Sequence, residues 1–142
     1  MEKNAALAKF IEDEIPDYSI LLTSLPENKH ETEHAIKSLG LTRTWYFDAD
    51  NLLELVALIH YSNVVITPDT AIAHIASAEE KPIVGLYPEA GEWLPYKVNS
   101  YIILPKKGQP IASIPFEMVK KATQELLSNK GDNEIIHLIR CD

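Results

Sequence analysis

Residues 63–87, NVVITPDTAIAHIASAEEKPIVGLY, decide the fold. Asn63 to Thr67 is β-branched and apolar on both faces, Thr70 to Glu79 is Ala-rich and helical, and Pro82 to Tyr87 is again an apolar run of the buried-strand type. Strand, helix, strand is the unit from which parallel sheets are built, and both strands read as central.

The same alternation extends in both directions. Ala5, Leu7, Ala8, Phe10 and Ile11 recur at helical spacing until Pro16, so the chain opens in a helix. Ser19 to Leu25 is a short apolar run closed by Pro26, and His30 to Leu39 is helical, with Gly40 where a left-handed cap belongs. Thr44 to Phe47 is a strand, and Asn51 with Glu54 forms a capping-box pattern at the start of the helix Leu52 to Tyr61. Downstream, Pro88 to Ser100 lacks periodicity and holds Gly91, Trp93, Pro95 and Tyr96, which marks a long loop. Tyr101 to Leu104 is a strand, Pro115 introduces the helix Phe116 to Leu127, and Asn129 to Asn133 is a turn. Glu134 to Arg140, EIIHLIR, closes the pattern as a strand or, as the weaker alternative, a helix. The expectation is an α/β class, doubly wound, mostly parallel Rossmann-like sheet in a single domain over 1–142.

A run apolar on both faces suits an interior strand, so Glu134 to Arg140 is expected inside the sheet. There it would fill a central gap in its own chain or in a second copy, giving a homodimer.

Composition narrows the function. Thirteen Lys and Arg against twenty-one Asp and Glu leave a net charge of −8, which argues against a general nucleic-acid surface. The 46% hydrophobic and 24% charged content is that of a folded chain. Cys141 is the only cysteine, so no intramolecular disulfide can form, and a reducing, cytoplasmic setting fits. The acidic N-terminus does not read as a signal peptide, and the apolar window Leu52 to Ile59 is far short of the ~20 residues of a transmembrane segment.

The chemistry concentrates in Val64 to Tyr96. Asp69 and Thr70 stand where a buried strand ends and a helix begins, the carboxyl edge at which open α/β sheets bind ligands. Amides at Thr70 and Ala71 would face an anion such as a diphosphate, and the Asp69 carboxylate would accept from sugar hydroxyls. Either residue would equally serve as a plain helix cap, and spacing alone does not decide.

This block resembles the C-terminal signature of glycosyltransferase family nine, the ADP-heptose:lipopolysaccharide heptosyltransferases. Asp69, Thr70, His74, Ile75, Ala76, Pro82, Trp93, Pro95 and Tyr96 hold the family's places. Ala71 and Pro88 stand where the family usually has Gly. The resemblance extends from about Ala5 to Leu127 and implies the nucleotide-sugar-binding half of a GT-B fold. It further implies an ADP-heptose donor, a lipopolysaccharide core acceptor, inversion at the anomeric centre and no metal or other cofactor. The catalytic carboxylate belongs to the other half, so this chain alone is expected to be inactive and to need an N-terminal-half partner. Work at the inner face of the bacterial inner membrane would follow. The alternative is a non-catalytic remnant that binds a nucleotide sugar or a partner chain.

Among single residues, His74 lies four positions after Thr70 and would reach a phosphate or sugar, or else is a structural histidine. Glu27 and Glu31 fall where the family places an acid on the ribose, although Glu31 also suits an ordinary helix start. Trp93 and Tyr96 either shape a sugar pocket or anchor the loop. A remote competitor is the string His30-Glu31-Thr32-Glu33-His34, the HExxH of zinc metallopeptidases. Charged Glu33 and the polar residues before it are wrong for the buried helix such enzymes use.

Overall fold

The computed structural model describes residues 2–68, 70–128 and 136–141. The chain divides into two compact units, residues 1–52 and 53–142. It is an α/β protein with parallel strands and intervening helices, as the alternation implies.

The first unit contains α1 (Glu2–Glu14), β1 (Ile20–Leu22), α2 (Lys29–Ser38) and β2 (Thr44–Tyr46). Its two strands pair in parallel, Ile20 opposite Thr44 and Leu22 opposite Tyr46. Helix α1 buries Ala5, Leu7, Ala8 and Ile11, one stripe at helical spacing. The strand expected over Ser19–Leu25 is cut to three residues, because Pro26–Asn28 forms a 3-10 turn and takes Ser24 and Leu25 out of extended pairing. Gly40 has φ 64°, the left-handed cap read from the sequence.

Glu12 and Arg43 tie α1 to the strand that follows. The Glu12 carboxylate accepts from the amides of Thr42 (3.1 Å) and Arg43 (2.7 Å) and from the Thr44 hydroxyl (2.7 Å). In return the Arg43 guanidinium donates to the carbonyls of Glu12 (2.5 Å), Pro16 and Tyr18 (3.2 Å).

The second unit carries α3 (Leu52–Tyr61), β3 (Val65–Pro68), α4 (Ala71–Ala78), β4 (Ile83–Leu86), β5 (Ser100–Leu104), α5 (Phe116–Ser128) and β6 (Ile136–Arg140). All four strands are parallel, in the order β3-β4-β5-β6. The two interior strands are the most buried: every residue of β5 is buried, and so are the first three of β4. Helix α5 lays Val119, Ala122, Thr123, Leu126 and Leu127 inward at i, i+3, i+4, i+7 and i+8. Small residues of α4, Ala73 and Ala76, let that helix lie close to the sheet, Ala73 against Tyr87 and Ile102 and Ala76 against Ile83 and Val65.

The closing strand departs from expectation. Residues 136–140 do form a strand, while Asn129 to Ile135 lie outside the described residues. The strand is not interior: β6 lies on the rim beside β5, with Ile136, Leu138 and Arg140 exposed. The reason is topological, since a strand that follows the crossover helix of β5 is delivered to the edge next to β5. One face suffices to hold it, where His137 stacks on Tyr101 with ring centroids 4.3 Å apart and 11° between planes.

Candidate functional site

The end of β3 leads into α4 at the carboxyl edge of the four-stranded sheet. Thr70 is the N-cap of α4, with extended backbone (φ −144°, ψ 175°), and its hydroxyl accepts from the Ile72 amide at 3.3 Å. A second hydroxyl, that of buried Thr67 at the end of β3, lies 3.2 Å from the Thr70 hydroxyl, and the Thr70 carbonyl accepts from the Ala73 amide at 3.0 Å. Ala71 opens the helix and is exposed. Asp69 lies outside the described residues.

One turn along α4, exposed His74 meets the indole of Trp93 edge to face, with centroids 6.5 Å apart and planes at 90°. A turn further on, the Ser77 hydroxyl accepts from the Tyr96 amide at 2.8 Å and donates to the Tyr96 carbonyl at 3.0 Å. Thr70, His74 and Ser77 thus form one polar stripe at i, i+4 and i+7, and the 88–99 loop is fastened along it. Within that loop Pro95 and Val98 are buried and Leu94 packs on the cluster of Ala73, Tyr87, Ile102 and Leu104. The rings of Trp93 and Tyr96 remain 72% and 73% exposed, so the loop is anchored by its neighbours while its aromatics face outward.

The sequence profile described as glycosyltransferase family 9 (heptosyltransferase) matches residues 1–116. The chain belongs to glycosyltransferase family 9. It is 32% identical over 74 residues to the Escherichia coli (strain K12) protein named "Putative lipopolysaccharide heptosyltransferase 4", a match covering 52% of this chain and 19% of that protein. A crystal structure of a family 9 glycosyl transferase from Veillonella parvula shares the fold at a TM-score of 0.74 and 19% identity, over 91% of this chain and 41% of that one. This family 9 chain therefore spans about a fifth of the curated relative and two-fifths of the solved one.

Of the residues singled out in the sequence, Thr70, Ala71, His74 and Trp93 gather at α4 and its loop in the second unit. Glu31 is exposed in the first turn of α2 in the first unit, while Asp69 is outside the described residues. Ser77 was missed, although its spacing from Thr70 and His74 places it on their face of the helix.

The HExxH string proves to be surface. Helix α2 buries Thr32, whose hydroxyl donates to the Asn28 carbonyl at 2.9 Å, and leaves His30, Glu31 and His34 exposed. His34 Nε2 lies 3.2 Å from the Ser38 hydroxyl. Among the described residues no three His, Cys, Asp or Glu side chains form a metal-holding group. Family 9 membership and this outward-facing helix overturn the peptidase alternative. Beside it, a hydrogen bond from Lys29 to Asp48 and the Asp48 charge hold the lysine above its usual pKa.

Proposed function

We propose that residues 1–142 form one Rossmann-like domain that binds a nucleotide sugar of the ADP-heptose type at the β3–α4 junction. It would serve as the donor-binding half of a GT-B heptosyltransferase. The observation that carries the reading is the polar stripe Thr70, His74 and Ser77 at a sheet's carboxyl edge, with Trp93 standing over His74.

Each residue has a distinct part in the proposed site. The start of α4 at Ala71 offers its amide and the positive end of the helix to the donor diphosphate, and the Thr70 hydroxyl sits beside it. His74 reaches the same phosphates or the sugar, and Trp93 supplies an apolar wall. Asp69, adjacent in sequence to Thr70, accepts from sugar hydroxyls, and Glu31 accepts from the ribose.

Transfer breaks the bond from the anomeric carbon to the diphosphate and forms one from the opposite face to a lipopolysaccharide core hydroxyl, releasing ADP. That hydroxyl's proton needs a base, which we place on an N-terminal half as a partner, so the isolated chain binds without turnover. No metal or cofactor enters this scheme. Among the described residues no helix is long and apolar enough to cross a membrane, and we place the protein in the cytoplasm at the inner face of the inner membrane. The second reading is a non-catalytic remnant that binds a nucleotide sugar or a partner chain.

Calorimetric titration with ADP-, UDP- and GDP-sugars tests the site. ADP-sugars should bind, and Thr70→Val and His74→Ala should each weaken binding about tenfold or more, near 1.4 kcal/mol. Binding unchanged by Thr70→Val, His74→Ala and Asp69→Ala would remove the site. Transfer of heptose by the isolated chain would remove the two-part scheme.

A further inference from the structure

The same carboxyl edge carries a second polar hollow at its far end. Past β5 the chain turns through Lys106, Lys107, Gly108 and Gln109, with Gly108 at φ 77° and the Gln109 amide donating to the Lys106 carbonyl at 2.9 Å. A 3-10 turn, Ile111–Ser113, then leads by way of Pro115 into α5. Strand β6 ends at this edge as well, and the Cys141 amide donates to the Leu104 carbonyl at 3.1 Å. These segments enclose about 470 Å³ lined by Lys106, Lys107, Gln109, Ser113, Pro115 and Cys141.

The lining is one-sided in charge. Among the described residues no carboxylate contributes to it, and neither Lys106 nor Lys107 has an acidic partner there. Other lysines do: Lys9, Lys29 and Lys120 pair with Asp13, Asp48 and Glu117. That last pair also engages the one acid in the first turn of α5, leaving the positive end of a 13-residue helix beside the hollow. In a chain of net charge −8, two adjacent ammonium groups with no acidic partner among the described residues, on a concave surface with a carboxamide, stand out against the overall sign. An ammonium pair is satisfied by a compact oxyanion, whereas an extended acidic partner would meet the surrounding negative field.

We propose that this hollow binds the phosphate group of a phosphorylated ligand, with Lys106 and Lys107 as its countercharge and Gln109 as a neutral donor. The space exceeds one phosphate, so the group's substituent is accommodated too, whether a soluble phosphomonoester or a phosphate-bearing lipid headgroup supplies it. The site is separate from the β3–α4 junction, since two to three strand spacings, about 10–14 Å, lie between them. It does not depend on the donor reading.

Cys141 provides the probe, because the chain's only thiol lies in the lining. Its alkylation by uncharged iodoacetamide is followed at fixed pH and ionic strength. Glycerol 3-phosphate and vesicles of phosphatidic acid are added in separate arms, with sodium chloride and phosphatidylcholine vesicles as blanks. Saturable slowing of about fivefold or more is expected from one of the phosphate probes, and the arm that protects identifies the source. The exposed pair Lys106→Gln/Lys107→Gln should abolish protection with an unchanged thermal midpoint, while Lys37→Gln/Lys121→Gln, of equal charge, should retain it. No protection by either probe up to on the order of 10 mM, ten times a 1 mM Kd, overturns the proposal. Protection that survives the Lys106/Lys107 variant does so too.

Discussion

Ser77 grips Tyr96 by both of its backbone polar groups, its hydroxyl accepting from the amide at 2.8 Å and donating to the carbonyl at 3.0 Å. A single hydroxyl therefore fixes the loop that carries Trp93 against α4. Ser77→Ala removes both bonds at once, and with each neutral hydrogen bond worth about 1 kcal/mol the unit should lose about 1–2 kcal/mol. The loop should also open to trypsin after Lys97, so cleavage there is expected to quicken. Equal cleavage rates in wild type and variant would show that buried Pro95 and Val98 hold the loop alone.

Gly85 is required by a neighbour two residues on. A Cβ at this position would fall 2.6 Å from Tyr87 Cε2 and 3.0 Å from Ile102 Cδ1, inside van der Waals contact with buried groups. Gly85→Ala should cost about 1–3 kcal/mol in urea unfolding. Combining it with Tyr87→Val, which deletes the ring, should cost less than the sum of the two single changes. Strict additivity would remove the packing explanation.

Glu12 should make the protein acid-sensitive. Burial raises its pKa, but the Thr44 hydroxyl, the amides of Thr42 and Arg43 and the Arg43 charge together outweigh this and hold it below the usual 4.5. The unfolded chain then takes up the proton first as pH falls. Stability from this group is full above its unfolded value and is lost as pH drops through the folded one. The difference in thermal midpoint between wild type and Glu12→Gln should be constant above about pH 6 and shrink below about pH 4. A difference that does not change across this range would refute the assignment.

Thr123 offers a gain. It is fully buried on α5, and its hydroxyl has no hydrogen-bond partner among the described residues. Thr123→Val keeps the shape and removes the desolvated group, so stability should rise by about 1 kcal/mol, whereas Thr123→Ser keeps the hydroxyl, loses the methyl and should lower it. Chemical denaturation of the three proteins settles the order.

Local patterns carried most of the fold into the sequence. The i, i+3, i+4 stripe of α5 and the doubly apolar NVVIT and PIVGLY runs need only nearest neighbours to be read, and each formed where expected, within a residue or two. The position of β6 was not legible, because EIIHLIR carries apolar residues on both faces whether it lies inside a sheet or on its rim. What placed it was the crossover, a property of chain path. At the site, Thr70 and His74 stood out by chemistry, while Ser77 looked like any helix serine. Its role depends on a loop nineteen residues away folding back onto it.

The rim position of β6 also bears on how the second unit is made. Strands β3, β4 and β5 precede it in the chain and pair in sequence order, so this layer can assemble during synthesis and wait with the edge of β5 open. An interior place would have kept the layer divided until residues 136–140 left the ribosome. Adding β6 afterwards only covers the edge of β5 and extends a sheet already formed.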